Sequence, residues 1–245
     1  MWYKKAFDKS FLENKRPTGK GAYGKYYSDF TQEELKKLKR QLGNYTPHMG
    51  IKQFHVSSLF EDIIQENLAL IYFSPIINEF TDMRAPRIEN ISLSSIISNK
   101  IAITQHMPGV SLYDTNYNSD KYQLSKEINK QIIQKLHKIG ILWQDNHAGN
   151  YFVDKNLLTA FLADLKEARI KNKDINVIEF YRHTKIDLSE GASILDFGMM
   201  FARRNSRAAH PLIDLKDKIT HALTEKPNNE LLKNLLMVTT NMIIA

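Results

Sequence analysis

Leu136-His137-Lys138-Ile139-Gly140-Ile141-Leu142-Trp143-Gln144-Asp145-Asn146-His147-Ala148-Gly149-Asn150-Tyr151-Phe152-Val153-Asp154 carries more information than any other part of this chain. Upstream, Ile128, Ile132, Ile133, Leu136 and Ile139 recur at helical spacing, so the pattern predicts an amphipathic helix over Leu124–Ile139, ended by Gly140. Tyr151 to Val153 reads as a short apolar strand. Between helix and strand lies a polar loop with a carboxylate, Asp145, and a carboxamide, Asn150, five residues apart.

The neighbouring segments give this loop a context. Thr31–Leu42 reads as a helix, with Thr31 as N-cap and Glu33 and Glu34 in the first turn. Met49–Val56 is strand-like and contains Lys52, which must snorkel or meet a partner if its strand is buried. Phe60, Ile63, Ile64, Leu68 and Ile71 mark one helix face, with Glu61 and Glu66 on that helix. Further strands are expected near Leu70–Phe73, Ser92–Ile97 and Lys100–Gln105. A glycine-rich segment, Gly19-Lys20-Gly21-Ala22-Tyr23-Gly24, precedes all of these; its backbone N–H groups could cradle phosphate. After Pro108-Gly109 the chain turns mostly helical. Strand-rich first and helix-rich second, it reads as two lobes, 1–104 and 105–245, meeting near Thr104–Pro108.

The bulk composition permits this and narrows the alternatives. The chain has 245 residues, enough for one large domain or two lobes with a real core, and 42% hydrophobic with 25% charged residues is ordinary for a globular protein. There is no cysteine, which excludes disulfides and Cys-based zinc sites. Met1-Trp2-Tyr3-Lys4-Lys5-Ala6-Phe7-Asp8 lacks the apolar core of a signal peptide. The longest apolar run, Leu68–Phe73 resuming at Pro75–Ile77, is too short to span a bilayer. A net charge of +7 suits phosphate-rich ligands but equally an ordinary basic protein, and it does not single out nucleic acid. Lys36, Lys37, Lys39 and Arg40, like Arg203, Arg204 and Arg207, read as solvated faces.

Together the motifs resemble the protein-kinase superfamily over roughly residues 19–202. Leu136-His137-x-x-Gly140-Ile141 leading to Asp145-x-x-x-x-Asn150 is similar to the kinase catalytic loop, and Met49-Gly50-Ile51-Lys52 to the V-A-I-K strand. Ile103-Thr104-Gln105-His106-Met107-Pro108-Gly109-Val110-Ser111-Leu112 looks like a kinase hinge. The resemblance implies an α+β, two-lobed fold with a small antiparallel-sheet N-lobe and a mainly helical C-lobe. It also implies ATP under Gly19, Gly21 and Gly24, with adenine near Gln105 and Met107 and Thr104 guarding the rear pocket. Lys52, paired with Glu66 (or Glu61), would hold the α/β-phosphates, and Asp145 would position the acceptor hydroxyl. Mg²⁺ would be held by Asn150 and a further Asp.

That further Asp has two candidates. Asp196-Phe197-Gly198 spells the kinase D-F-G. Asp164 follows the strand-like Ala160–Ala163. Asn and metal-binding Asp usually flank one hairpin, which needs on the order of 10–15 residues. Asn150 to Asp164 is 14 residues and Asn150 to Asp196 is 46. Spacing therefore favours Asp164, with Asn156 in the turn and Leu165–Leu195 as an activation segment. Asp196 would then open a helix below the catalytic loop.

The family pattern is not fully kept. Trp143-Gln144 replaces the His-Arg of protein kinases, removing the usual contact to an activation-loop phosphate. The Asp145-x-His147-x-x-Asn150 form resembles aminoglycoside phosphotransferases and other small-molecule kinases. The reading adopted is a compact atypical Ser/Thr protein kinase of the bacterial effector or phage type, acting on a protein substrate with or without an activating partner. It is expected in the cytoplasm or delivered into a host cell. The alternatives are a small-molecule or lipid kinase, a non-catalytic pseudokinase scaffold, and transfer of AMP instead of phosphoryl.

Overall fold

The computed structural model describes residues 10–20, 24–42, 48–86 and 100–245. The expected strand at Ser92–Ile97 and the glycine Gly21 lie outside them. The first part of the chain builds a four-stranded antiparallel sheet in the order β1 (Gly19–Lys20), β2 (Gly24–Tyr27), β3 (Met49–Phe54) and β4 (Ile101–Gln105). Period-2 alternation gives its strands two different faces. Tyr27, Met49, Ile51, Ile101 and Ile103 point outward, where they form a small core with Leu12 of α1 (Ser10–Glu13) and Leu38 of α2 (Gln32–Leu42). Tyr26, Gly50, Lys52 and Thr104 fall on the opposite face, where Tyr26 covers Gly50 and, with Lys52 and Thr104, lines the interlobe cavity.

The step of 28 residues from Gly24 to Lys52 holds α2 as an insertion between paired strands. Its start is a capping box: Thr31 Oγ1 accepts from Glu34 N–H, and Glu34 Oε2 accepts from Thr31 N–H at 2.7 Å. The helix α3 (Phe60–Phe80) is longer than its sequence pattern suggests and absorbs the strand expected at Leu70–Phe73. The apolar run there is continuous because this helix is covered on several sides. It packs under the sheet and also meets β9 (Met200–Arg203) and the C-terminal helix Glu230–Asn241.

The second part is mainly helical, with two small sheets. After β5 (Val110–Ser111), α4 (Asp120–Lys138) starts at Ser119, whose hydroxyl accepts from Tyr122 N–H. It ends at Gly140, which has φ +84°; a Cβ there would also lie 2.0 Å from the Ser206 Cβ. Next come β6 (Ile141–Trp143), the polar loop, β7 (Tyr151–Val153), α5 (Lys155–Lys171), α6 (Val177–His183), α7 (Leu188–Gly191) and β8 (Ala192–Ile194). β9 follows, then a 3₁₀ turn at Arg207–Ala209, α8 (His210–Glu225), α9 (Glu230–Asn241) and β10 (Ile243–Ile244). The two sheets are ordered β5-β7-β8 and β10-β9-β6.

Residues 155–171 correct a strand expectation. Asp154 caps a helix, accepting from Asn156 N–H and Leu157 N–H, and Leu158, Phe161 and Leu165 form its buried face. The partner of β7 is β8, with Tyr151 opposite Ile194. The segment expected to be an activation loop, Leu165–Leu195, instead holds the end of α5 together with α6, α7 and β8, all ahead of Asp196. The helix expected to open at Asp196 is instead a turn between β8 and β9.

Candidate active site

A cavity of about 430 Å³ opens between the antiparallel sheet and the helical part. Lys52 reaches into it from β3 and Glu66 from α3. Lys52 Nζ lies 2.6 Å from both Glu66 carboxylate oxygens and 3.6 Å from Asp196 Oδ2. Glu66 is buried and the other two are partly exposed. Burial works against the Lys52 ammonium, yet Glu66 and Asp196 together hold it above the usual lysine range. Burial pushes the Glu66 carboxyl up to about 7, against the pull of Lys52 and helped by the Asp196 charge. Two carboxylates thus share one ammonium, an arrangement with negative charge to spare.

The polar loop supplies the facing side. Asn150 Nδ2 donates to Asp145 Oδ2 at 2.9 Å and to the Asp145 carbonyl at 2.8 Å, so loop geometry and carboxylate orientation are fixed by one amide. With its nitrogen committed twice, Asn150 has its Oδ1 left to take a cation. His147 Nδ1 accepts from Gly149 N–H at 3.0 Å. In the neutral ring this puts the proton on Nε2, which lies 3.6 Å from Asp145 Oδ1. Asn146 braces the loop from below, donating to the Trp143 carbonyl at 2.7 Å, and Asn129 of α4 donates to the Asn146 carbonyl.

Of the two metal-ligand candidates, the structure brings Asp196 into this cluster and leaves Asp164 out. Asp164 sits on the solvent side of α5 and does not line the cavity. Asn150 and Asp196 do flank a pair of strands: Leu195 N–H donates to the Asn150 carbonyl at 2.9 Å, just past the β7–β8 ladder. The hairpin premise fails only in its connection, where three helices replace a tight turn. Gly198 N–H donates to Asp196 Oδ1 and turns the chain into β9.

The cavity is completed by Gly19, Gly24, Thr104, Gln105 and Met107 from the expected set, and by Tyr26, His106, Phe152 and Leu195. The His106 N–H is bound by the His48 carbonyl, which ties the end of β4 to the start of β3. Tyr26 lies two residues after Gly24 and pairs with Lys52 across the β2–β3 ladder, a register that no single segment of sequence reports. Burial pushes its phenol up to about 12, so it stays protonated.

A metal fits this set in a particular way. Among the described residues no group of three or more His, Cys, Asp or Glu could hold an ion. One carboxylate and one amide oxygen suit Mg²⁺, whose remaining ligands are commonly phosphate oxygens and water.

Small antiparallel sheet, Lys–Glu pair, Asp/Asn loop and Asp-Phe-Gly turn in one cleft make up a two-lobed, protein-kinase-like fold. A family model described as WaaY: Lipopolysaccharide core biosynthesis protein (WaaY) matches residues 87–207, a little under half of the chain. The matched stretch runs through residues 103–112, the polar loop and Asp196-Phe197-Gly198. A search of curated proteins found no match. Among the described residues no helix is long and apolar enough to cross a membrane.

Proposed function

We propose that this protein transfers the γ-phosphoryl group of ATP to a hydroxyl of a lipopolysaccharide-core sugar. The observation that carries the transfer chemistry is the convergence of Lys52, Glu66 and Asp196 with Asp145 and Asn150 in one cavity. Support for a sugar acceptor, in preference to a protein, comes from the lipopolysaccharide-core family match over 87–207. Lys20 and Lys25 at the cavity edge suit an anionic substrate.

In this reading Lys52, held by Glu66, grips the α/β-phosphates. Asn150 Oδ1 and Asp196 are the groups that would hold Mg²⁺, which when bound neutralises charge on the phosphate oxygens. Asp145 orients the acceptor hydroxyl and takes its proton as the new O–P bond forms and the bond to the ADP oxygen breaks. Most of the acceleration comes from positioning and charge compensation. Dependence on ATP makes the cytoplasm the compartment for the reaction.

The test is incubation with Mg²⁺ and γ-labelled or α-labelled ATP, offered lipopolysaccharide core oligosaccharide, lipid-linked core or a generic protein. Label from γ-ATP on the oligosaccharide, lost in Asp145→Ala, is the expected result. Label on the protein alone would replace the sugar reading with a protein kinase. Transfer of the α-label would make it a nucleotidyltransferase. Folded protein that binds ATP but labels none of the three would remove the proposed acceptor and favour a scaffold.

A further inference from the structure

The connection between β5 and α4 takes no part in the mechanism above, yet it sets two aromatic side chains out into solvent. Tyr113 is 62% exposed and Tyr117 68%. Single exposed aromatics are ordinary, but these two stand on a loop fastened by its own side chains. Asp114 Oδ1 accepts from Asn116 N–H at 2.9 Å, and Asp114 Oδ2 from the Ser119 hydroxyl at 2.8 Å. Gln123 Nε2 donates to the Tyr117 carbonyl at 2.9 Å, and Lys121 Nζ to that of Tyr113 at 3.3 Å. The Tyr117 and Tyr122 rings meet edge to face at 4.9 Å with planes 81° apart, and Lys126 Nζ lies 4.7 Å from the Tyr122 centroid. Tyr117 is thus held in place while most of its surface faces water. The same loop is tied to the reacting side of the cleft. The Ser111 hydroxyl donates to the Ala148 carbonyl and accepts from Tyr113 N–H, both at 3.0 Å, so the Tyr113 backbone is coupled to the loop that carries Asp145 and Asn150. Tyr122 stands seven residues before Asn129 on α4, about 10 Å along the helix axis, and Asn129 grips that loop at the Asn146 carbonyl.

From this we infer that Tyr113 and Tyr117 form a carbohydrate platform, which holds non-reacting sugar rings of an anionic oligosaccharide acceptor while another of its sugars meets Asp145. The inference rests on the sugar-acceptor reading above and adds the surface that selects the acceptor. The C–H face of a pyranose packs on an aromatic ring, and the hydroxyls at its rim need polar partners. The exposed Asn116 and Asn118 flank Tyr117 in the chain and offer such partners. Lys121 and Lys126, beside the rings, attract acid groups carried by the oligosaccharide. A tyrosine has few rotatable bonds, and a loop that is already ordered loses little further entropy when a ligand arrives.

The experiment pairs steady-state transfer from ATP to lipopolysaccharide core oligosaccharide with calorimetric titration of the full chain by the same oligosaccharide without nucleotide. The variants are Tyr113→Ala, Tyr117→Ala, the double Tyr113→Ala/Tyr117→Ala and Tyr117→Trp. Each single loss of an aromatic contact should weaken the oligosaccharide about threefold, and the double roughly tenfold, in both KM and titration. The KM for ATP should stay within about twofold, and the loss should fall on KM rather than kcat, because the contact is made alike in ground and transition states. Tyr117→Trp keeps an aromatic face and should bind the oligosaccharide within about twofold of wild type. The two single variants act on separate side chains, so either one tests the platform if the other does not fold. Unchanged oligosaccharide KM and titration in the double variant would overturn the inference. An equal rise in the KM for ATP would also overturn it, reducing the loop to a support of the cleft. A variant that weakens only a protein acceptor would make the surface a polypeptide dock and overturn it likewise. Wild-type protein that binds ATP but neither binds nor labels the oligosaccharide would instead remove the sugar-acceptor reading, and the platform with it.

Discussion

Lys52 holds two carboxylates at once, and removing either has a different consequence. Glu66 is buried with its charge answered only by Lys52, so Glu66→Ala leaves an ammonium short of its closest partner. Because Asp196 still answers the ammonium, the loss should reach at most about 3 kcal/mol, the lower end for a broken buried pair, read from denaturant unfolding. Glu66→Gln keeps the shape and isolates the titration. Because the Glu66 carboxyl is pushed from 4.5 to about 7, the folded chain retains a proton that the unfolded chain has released within that window. Stability therefore falls as pH rises from about 4.5 to 7, and the melting temperature of Glu66→Gln should change less with pH over that range. Asp196→Asn is expected to lower phosphoryl transfer by at least about 10²-fold, with Asp164→Asn within twofold of wild type. Equal loss in both would remove the distinction that the structure draws between them.

Among the elements, the caps carry much of the local specification. Thr31→Ala deletes one half of the capping box of α2 and should cost about 1 kcal/mol by thermal or chemical unfolding. Gly140→Ala meets both a positive φ and the Ser206 side chain, and an expected loss of about 2–3 kcal/mol would show as a lower unfolding midpoint. The same local signals explain what the sequence made legible. The helix before Gly140, the Asp145/Asn150 loop, the Lys52 strand and Glu66 on the next helix are read from short-range patterns, and each sits where its pattern places it. Asp164 lies outside the cavity because hairpin spacing fixes which residues must be neighbours but not what joins them. Asp154 as a helix cap, followed by Leu158, Phe161 and Leu165 at helical spacing, was the signal that residues 155–171 leave the sheet. Tyr26 and Gly50 meet through strand register, and no single-segment pattern reports a contact between separate strands.

At the scale of the whole molecule, α3 ties the lobes together. It runs from the sheet face that carries Lys52 to β9 and α9, so Glu66 is presented by a helix gripped along much of its length. A helix held this way presents Glu66 to Lys52 without an ordering event, and Asp196 is followed almost at once by β9 in place of a long loop. Phosphatase-treated protein is accordingly expected to keep its full transfer rate. The brace on β9 comes from the far end of the sequence: Ala202 N–H donates to the Met242 carbonyl and Arg204 N–H to the Ile244 carbonyl, both at 2.7 Å, as β10 pairs parallel to β9. During synthesis, every side chain of the reactive cluster is translated well before the strand that steadies the Asp196 turn. A nascent or prematurely stopped chain would thus hold every side chain of the cleft yet lack the strand that braces β9.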